Sequence, residues 1–456
     1  MYLADTRAAG RVGDAPRLAR RAVPATVLVL GTVSLLTDIS AEMVTAVLPL
    51  YLVTEMGLSP LGFGLLDGIY NGASAAVRLV GGHLADRGSR YKTVAVLGYG
   101  LSALCKPALL VARGLPAIAA VLAVDRTGKG LRTAPRDAMI SLSAAPETRG
   151  RAFGVHRAMD TAGALLGPLA AFVVLRASVD GFDAVFTVSF CVATAGVAVL
   201  LLFVPGRAAR WGTDTGPHRQ AAVGTPAAES MAAESMAAPD AAAAARAAGT
   251  RAVLGLLGQA ELRRLTLCAL VLGAATVSDS FLYLVLRADV DLPVAWFPVL
   301  PVGSAASFLL LAVPFGHLAD RVGRWWVFVG GHGLLLAAYG LLLAPHPAGV
   351  LPAGALPAVV LALHGAFYAA TDGVLMAAAA GSVPQRLRSS GLALVQTGQA
   401  GSRFAGSLLF GAAWTAWGER AAVAAAAGAL LAAVAAAMAL RPDSPAPGSP
   451  APGSAT

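Results

Sequence analysis

Gly82-His83-Leu84-Ala85-Asp86-Arg87 recurs letter for letter as Gly316-His317-Leu318-Ala319-Asp320-Arg321. The copies lie 234 residues apart, about half of the 456-residue chain. Each follows a long apolar run and precedes another. Each continues into more positive charge, Arg90 and Lys92 after the first copy and Arg324 after the second. Six matched positions in matched surroundings point to two homologous halves, each with a tight charged loop between two apolar helices. A long-period internal repeat of this kind decides the fold.

Composition names the medium. The chain is 57% hydrophobic and 13% charged, with a mean hydropathy of +0.70. Soluble domains carry roughly 25% charged residues. Apolar runs fall near 24–53, 60–84, 93–112, 115–141, 152–176, 184–204, 264–286, 294–318, 326–345, 353–381, 390–416 and 420–440. Runs of about 20 residues span a bilayer as helices, whereas a membrane β-barrel would show short alternating segments. The expected fold is an all-α polytopic membrane protein of twelve transmembrane helices, arranged as two six-helix bundles.

The charge placement orients it. Most of the 34 Lys and Arg residues lie in the tail at 1–23, the Arg90 and Arg324 loops, the 205–262 stretch and other segments that share one side if the N-terminus is cytoplasmic. The opposite side holds Arg113, Arg176, Arg287 and Arg420. This bias predicts both termini inside, and it accounts for the net charge of +9 without a nucleic-acid partner. The expected organisation is a basic tail at 1–23, a bundle at 24–204, a low-complexity linker at 205–262, a bundle at 263–441 and a Pro/Ser/Gly tail at 442–456. Cys105, Cys191 and Cys268 are dispersed in apolar runs, so neither a metal site nor a disulfide framework is expected. The Gly-rich stretches at 98–100 and 128–130 lack the spacing of a phosphate loop, so no ATP site and no cofactor are expected. No nucleophile–base set appears, which argues against an enzyme.

Ionisable groups inside a bilayer cost about 2.5–3.5 kcal/mol each and are functional candidates by default. Asp38 and Glu42 are four apart on the first helix and share a face. Two such close carboxylates do not both ionise cheaply, which suits a proton carrier; the other reading is ion pairing with a base such as Arg78. The fourth run carries Asp125, Arg126, Lys129, Arg132, Arg136 and Asp137. This stripe must face a wet cavity or neighbouring carboxylates, with Lys129 available to an anionic group and Arg132 and Arg136 placed to brace the Asp86 loop. His156 and Asp160 are spaced for a proton relay or for a salt bridge. Asp67, Tyr70 and Asn71 line one turn of the second helix. In the second half, Asp279, the stripe His364, Tyr368, Asp372 and the stripe Gln396, Gln399, Arg403 are either cavity walls or interhelical hydrogen bonds. Asp86, Arg87 and Arg90, with Asp320, Arg321 and Arg324, form either a conformational latch or a topology anchor. Gly163, Gly167 and Pro168 permit close helix packing and a bend.

From 24 to 440 the chain resembles the major facilitator superfamily. The doubled loop resembles the family's loop between helices 2 and 3 and its twin between helices 8 and 9. Leu122-Ala-Val-Asp-Arg126-Thr-Gly-Lys-Gly130 resembles its intramembrane Arg motif. Gly163-Ala-Leu-Leu-Gly167-Pro168-Leu-Ala-Ala171 resembles the drug exporters' motif, with Ala171 where Gly is the rule. Ser34–Glu42 and Asp125–Asp137 resemble a prokaryotic subgroup. The resemblance implies proton coupling at Arg126 and secondary transport by alternating access. The expected function is proton-coupled export of a small molecule from the cell across the inner (cytoplasmic) membrane by a monomer in the lipid bilayer. Proton-coupled uptake and a non-transporting membrane sensor are the alternatives.

Overall fold

The computed structural model describes residues 23–70, 90–145, 148–179, 181–205, 258, 260–344, 355–381 and 388–439, with backbone alone at 260–261, 373–381, 388–394 and 396. The helices are α1 (Ala25–Thr54), a helical segment α2 (60–70), α3 (Tyr91–Val111), α4 (Gly114–Ser143), α5 (Arg149–Ala177) and α6 (Gly181–Phe203), then α7 (Ala260–Ala275), α8 (Asp279–Asp289), α9 (Val299–Val322), α10 (Arg324–Leu343), α11 (Ala355–Gly381), α12 (Arg388–Trp417) and α13 (Glu419–Ala439). No strand occurs among the described residues. Nine stretches among them are long and apolar enough to cross a membrane, and α7 with α8 forms one of these. α4 is not among the nine, because its stripe of six charged side chains lowers its hydropathy.

Burial is inverted relative to a water-soluble protein. Lys106, Asp125, Arg126 and Arg132 are 4–6% exposed, while Val111 and Leu310 are 78% and 76% exposed. Water would penalise both choices, whereas hydrocarbon around the outer faces rewards both.

The chain divides into two compact units. The first comprises residues to Gly57, 72–233 and 293–299. In it α1 packs along α5 and α6, and α3 packs on α4 and α6. Glycines set the closest approaches. A Cβ on Gly163 would lie 2.6 Å from Leu35 O, and one on Gly167 would lie 2.7 Å from the Glu42 Cβ and 2.8 Å from Ile39 O. The expected small-residue contact is therefore made by α5 against α1, on the turns that carry Asp38 and Glu42. Pro168 follows inside α5. Gly98 and Gly128 bring α3 and α4 equally close.

The second unit comprises 58–71, 234–292 and 300–456. α7 packs on α12 and α13, and α10 packs on α11 and α13. α2 belongs here: a Cβ on Gly64 would lie 2.4 Å from Ser407 O on α12, and the Phe63 and Phe281 rings meet edge-on at 4.8 Å.

The second copy of the hexapeptide ends α9. Gly323 alone joins α9 to α10, at φ +105°, a conformation costly for residues with a Cβ. Gly316 has open space around it, so this glycine is not required by packing. The first copy, with Asp86 and Arg87, lies outside the described residues, as do Asn71 and Arg78.

Candidate functional site: a charge cluster and an aromatic hollow

The first unit concentrates charge between α1, α3, α4 and α5. Asp125 is its anchor. Its Oδ1 accepts from Lys106 Nζ at 2.8 Å and from Ser102 Oγ, and its Oδ2 accepts from the Arg126 guanidinium. Lys106 Nζ also donates to Ser102 O at 2.8 Å, and that serine lies one turn earlier on α3. Buried cations survive only when paired and hydrogen-bonded, and this group satisfies that condition by itself. Arg126, the intramembrane Arg of the motif, thus sits against Asp125.

One turn along α4 the pairing crosses to α1 and α5. Arg132 Nη2 lies 3.4 Å from Asp38 Oδ1, with its guanidinium 4.5 Å from the centre of the Tyr99 ring. Arg136 Nη1 lies 3.5 Å from Asp160 Oδ1, and its Nε donates to Asp137 Oδ1 at 3.0 Å. Asp38 and Asp160, on different helices, face each other at interaction distance. Arg157 Nη1 reaches the other oxygen of Asp160 at 3.3 Å. The Lys129 ammonium makes no hydrogen bond among the described residues and lies within electrostatic reach of both Glu42 and Asp38. His156 does not bond Asp160; its Nε2 lies 3.0 Å from Ser34 Oγ, which also accepts from Arg136 Nη1 at 3.4 Å. The residues from Asp38 to Asp160 therefore meet one another. Arg132 and Arg136 find these partners inside the cluster, and the Asp86 loop that they are expected to brace lies outside the described residues.

The second unit is arranged differently. Tyr368 OH donates to Asp279 Oδ1 at 2.6 Å, and His364 Nε2 approaches the same oxygen at 3.4 Å. His364 Nδ1 is 3.0 Å from Ser304 Oγ. Beside this group lies a small hollow of about 40 Å³, lined by Phe328, His332, Phe367 and Tyr368 and rimmed by Asp372, Gln399 and Arg403. Asp67, on α2, accepts from Ser407 Oγ at 2.6 Å and takes no part in the hollow. Tyr70 is half-buried on the same helix, and the Gln396 side chain lies outside the description. Asp320 and Arg324 pair at 3.9 Å on the surface, and Arg321 is exposed beside them.

Sequence reading overlooked Lys106, Ser102, Phe328, His332 and Ser407. A lysine one turn from a serine within an apolar run was the available signal for the first two, and a lone histidine in the run at 326–345 for His332. No pattern marked Ser407 as the partner of Asp67.

A family model described as Major Facilitator Superfamily matches residues 30–356. The chain belongs to that superfamily. Its family and fold are those of multi-pass membrane transporters rather than of enzymes. An uncharacterized MFS-type transporter of Methanocaldococcus jannaschii is 40% identical over 141 residues, 31% of this chain and 35% of the relative. An uncharacterized protein of Mycobacterium tuberculosis is 33% identical over 175 residues, 38% of this chain and 42% of the relative. The chain thus spans less than half the length of these curated relatives. The nucleoside transporter NupG superposes with a TM-score of 0.69 at 15% identity, over 91% of this chain and 99% of that one. A peptide transporter POT solved with sulfate superposes at 0.67 and 19% identity, over 91% and 94%. Both carry the fold alone.

Proposed function

We propose that this transporter is a proton-coupled exporter working by alternating access, with twelve spans in two six-helix bundles and both termini in the cytoplasm. Asp38, Glu42, Arg126 and Asp160 carry the coupling. Lys129 and the hollow of the second unit take the substrate, together with Asp67, Tyr70 and Asn71. The paired loops at Asp86 and Asp320 act as the latch.

The observation that supports this reading most is the facing pair Asp38 and Asp160, with Arg132 3.4 Å from the first and Arg136 and Arg157 3.5 and 3.3 Å from the second. Two carboxyl groups that close titrate as one unit and retain a proton between them more readily than either would alone. Taking up a second proton neutralises the pair and frees Arg132 and Arg136. Losing it restores the ion pairs. A local charge change of that kind biases a two-state packing.

Proteoliposomes loaded with a pH-sensitive dye test it. A compound that moves against an imposed proton gradient releases protons in the opposite sense, and Asp38→Asn abolishes the coupled proton movement. Flux that is indifferent to the gradient and survives Asp38→Asn overturns the coupling. Proton and solute moving in the same direction establish uptake symport instead of export.

A further inference from the structure

A groove of about 400 Å³ runs along the second unit between α7, α12 and α13. Alanines of α12 and α13 make most of its wall, with Leu409, Phe410 and Trp417, and no charged side chain lines it among the described residues. One end lies at Ala274–Val277, near the middle of the span Leu262–Asp289, and at Ala429, midway along α13. The other lies at Trp417, the last residue of α12, which is 68% exposed. The groove therefore follows about half of the roughly 30 Å hydrocarbon core and ends at the depth where tryptophans gather.

The mid-membrane end is not apolar. Ala274, Ala275, Thr276 and Val277 all line the groove. Four consecutive residues share one side only where the backbone itself is open. α7 stops at Ala275 and α8 starts at Asp279, so the stretch between them leaves the helical ladder. The donors of Thr276 and Val277 are met. Val277 N donates to Tyr339 OH at 2.9 Å, Thr276 N to Gly273 O at 3.3 Å and Thr276 Oγ1 to Leu272 O at 2.8 Å. The acceptors fare differently. The carbonyls of Ala274, Ala275 and Thr276 accept no hydrogen bond among the described residues. Two of them gather beside Gly406, another lining residue, where a Cβ would lie 2.9 Å from Ala274 O and 3.2 Å from Thr276 O. Irregular backbone at membrane depth persists only where something satisfies it. The alanines, Leu409 and Phe410 have no side-chain donor to offer.

We infer that this groove binds an uncharged amphiphile, a hydrocarbon chain ending in a hydroxyl. The chain lies along the alanines and the hydroxyl donates to the open carbonyls. A carboxylate there would face carbonyl oxygens at the negative end of α7. An ammonium would find no counter-ion among the lining side chains and would bear the cost of desolvation. A hydroxyl donates without carrying charge into hydrocarbon. The site uses none of the groups proposed above for coupling, and neither depends on the other.

The test uses the full chain in nanodiscs and a photoreactive probe, 1-decanol with a diazirine on its chain. Cross-linked residues are mapped by mass spectrometry, with 1-decanol, decyl methyl ether and decanoate as competitors. The ether keeps the chain and an oxygen but has no proton to donate. Label is expected to concentrate on the groove-lining residues of α12 and α13. A hydrogen bond to an otherwise unsatisfied partner favours the donor by about tenfold, so 1-decanol is expected to suppress the label at about tenfold lower concentration than either competitor. Ala425→Leu, at an exposed lining position, fills the groove. It is expected to lower groove labelling about tenfold while leaving label at Leu310 of α9, on an open hydrocarbon face, unchanged. The wild-type competition alone decides the matter if the variant fails to fold. Equal competition by the ether or by decanoate overturns the inference. So does label spread evenly over Leu310 and the groove, the result expected if water alone serves the carbonyls, and so does groove labelling that survives Ala425→Leu.

Discussion

The charge cluster around Asp125 and the hollow around Arg403 solve the same physical problem in opposite ways. Both place full charges at the middle of helices surrounded by hydrocarbon. The first closes on itself: Lys106, Ser102 and Arg126 fill the lone pairs of Asp125, and Arg132 and Arg136 reach Asp38 and Asp160. The second satisfies its acid with the Tyr368 hydroxyl and the His364 ring, and leaves Arg403 and Asp372 without an ion pair or side-chain hydrogen bond among the described residues. A closed network sets structure and moves only when a proton enters or leaves. An open one has capacity left for a ligand.

The difference breaks first at Asp125. Asp125→Asn strands two buried cations, and removing one partner of a buried pair costs about 3–5 kcal/mol. The variant is expected to lose its folded, monodisperse form in detergent, read by size exclusion and thermal melting. Lys106→Met in the same chain removes half of the stranded charge and is expected to restore part of the melting temperature. The same pair of measurements at Asp372→Asn is expected to show little change. Comparable losses at both acids would erase the distinction between closed and open sites.

The cluster also depends on how close α1 and α5 come. Gly167→Val places a branched side chain where even a Cβ would stand 2.7 Å from Glu42 and 2.8 Å from Ile39 O. Overpacking of that kind costs about 1–3 kcal/mol. The two helices separate, and the Asp38–Asp160 facing loosens with them. Both the melting temperature and any proton-coupled flux are expected to fall, whereas Gly316→Ala, at a position with open space, leaves both unchanged.

These particular residues show what a sequence can and cannot carry. The repeat at Gly82 and Gly316 and the run lengths were enough for a helical membrane fold. The Gly163–Gly167 spacing foretold a close helix contact, and periodicity put Lys129, Arg132 and Arg136 on one stripe. None of this named a partner. Which acid meets Arg132 depends on α1 lying along α5, a tertiary fact with no local signature. Lys106 gains its partner Asp125 only because α3 and α4 meet closely at Gly98 and Gly128. The aromatic walls of the hollow come from α10 and α11, whose phenylalanines look like ordinary lipid-facing residues in one dimension.

The hollow itself responds more mildly. Tyr368→Phe keeps the ring beside Arg403 and deletes only the 2.6 Å bond to Asp279. A hydrogen bond to a charged group contributes about 1.5–3 kcal/mol, and His364 remains on the same oxygen to offset part of that loss. A modest drop in melting temperature is expected. An unchanged melting temperature would mean that His364 alone suffices to hold Asp279.

The smallest thermal effect belongs to Asp320. Its pairing with Arg324 at 3.9 Å is exposed, and exposed pairs contribute about 0–1 kcal/mol. Asp320→Asn is therefore expected to leave the melting temperature where it is. That silence makes the position informative. The acid stands three residues before Gly323, whose φ of +105° fixes the tight passage from α9 to α10, so the turn forms whether or not the charge is present. Any fall in transport rate in Asp320→Asn then reports a role in switching between conformations rather than in folding. Restoration by Asp320→Glu, which returns the charge at a longer reach, would separate a latch from a simple topology anchor. Wild-type transport rates in Asp320→Asn would remove the latch from this loop and leave its charges the task of orienting the chain in the membrane.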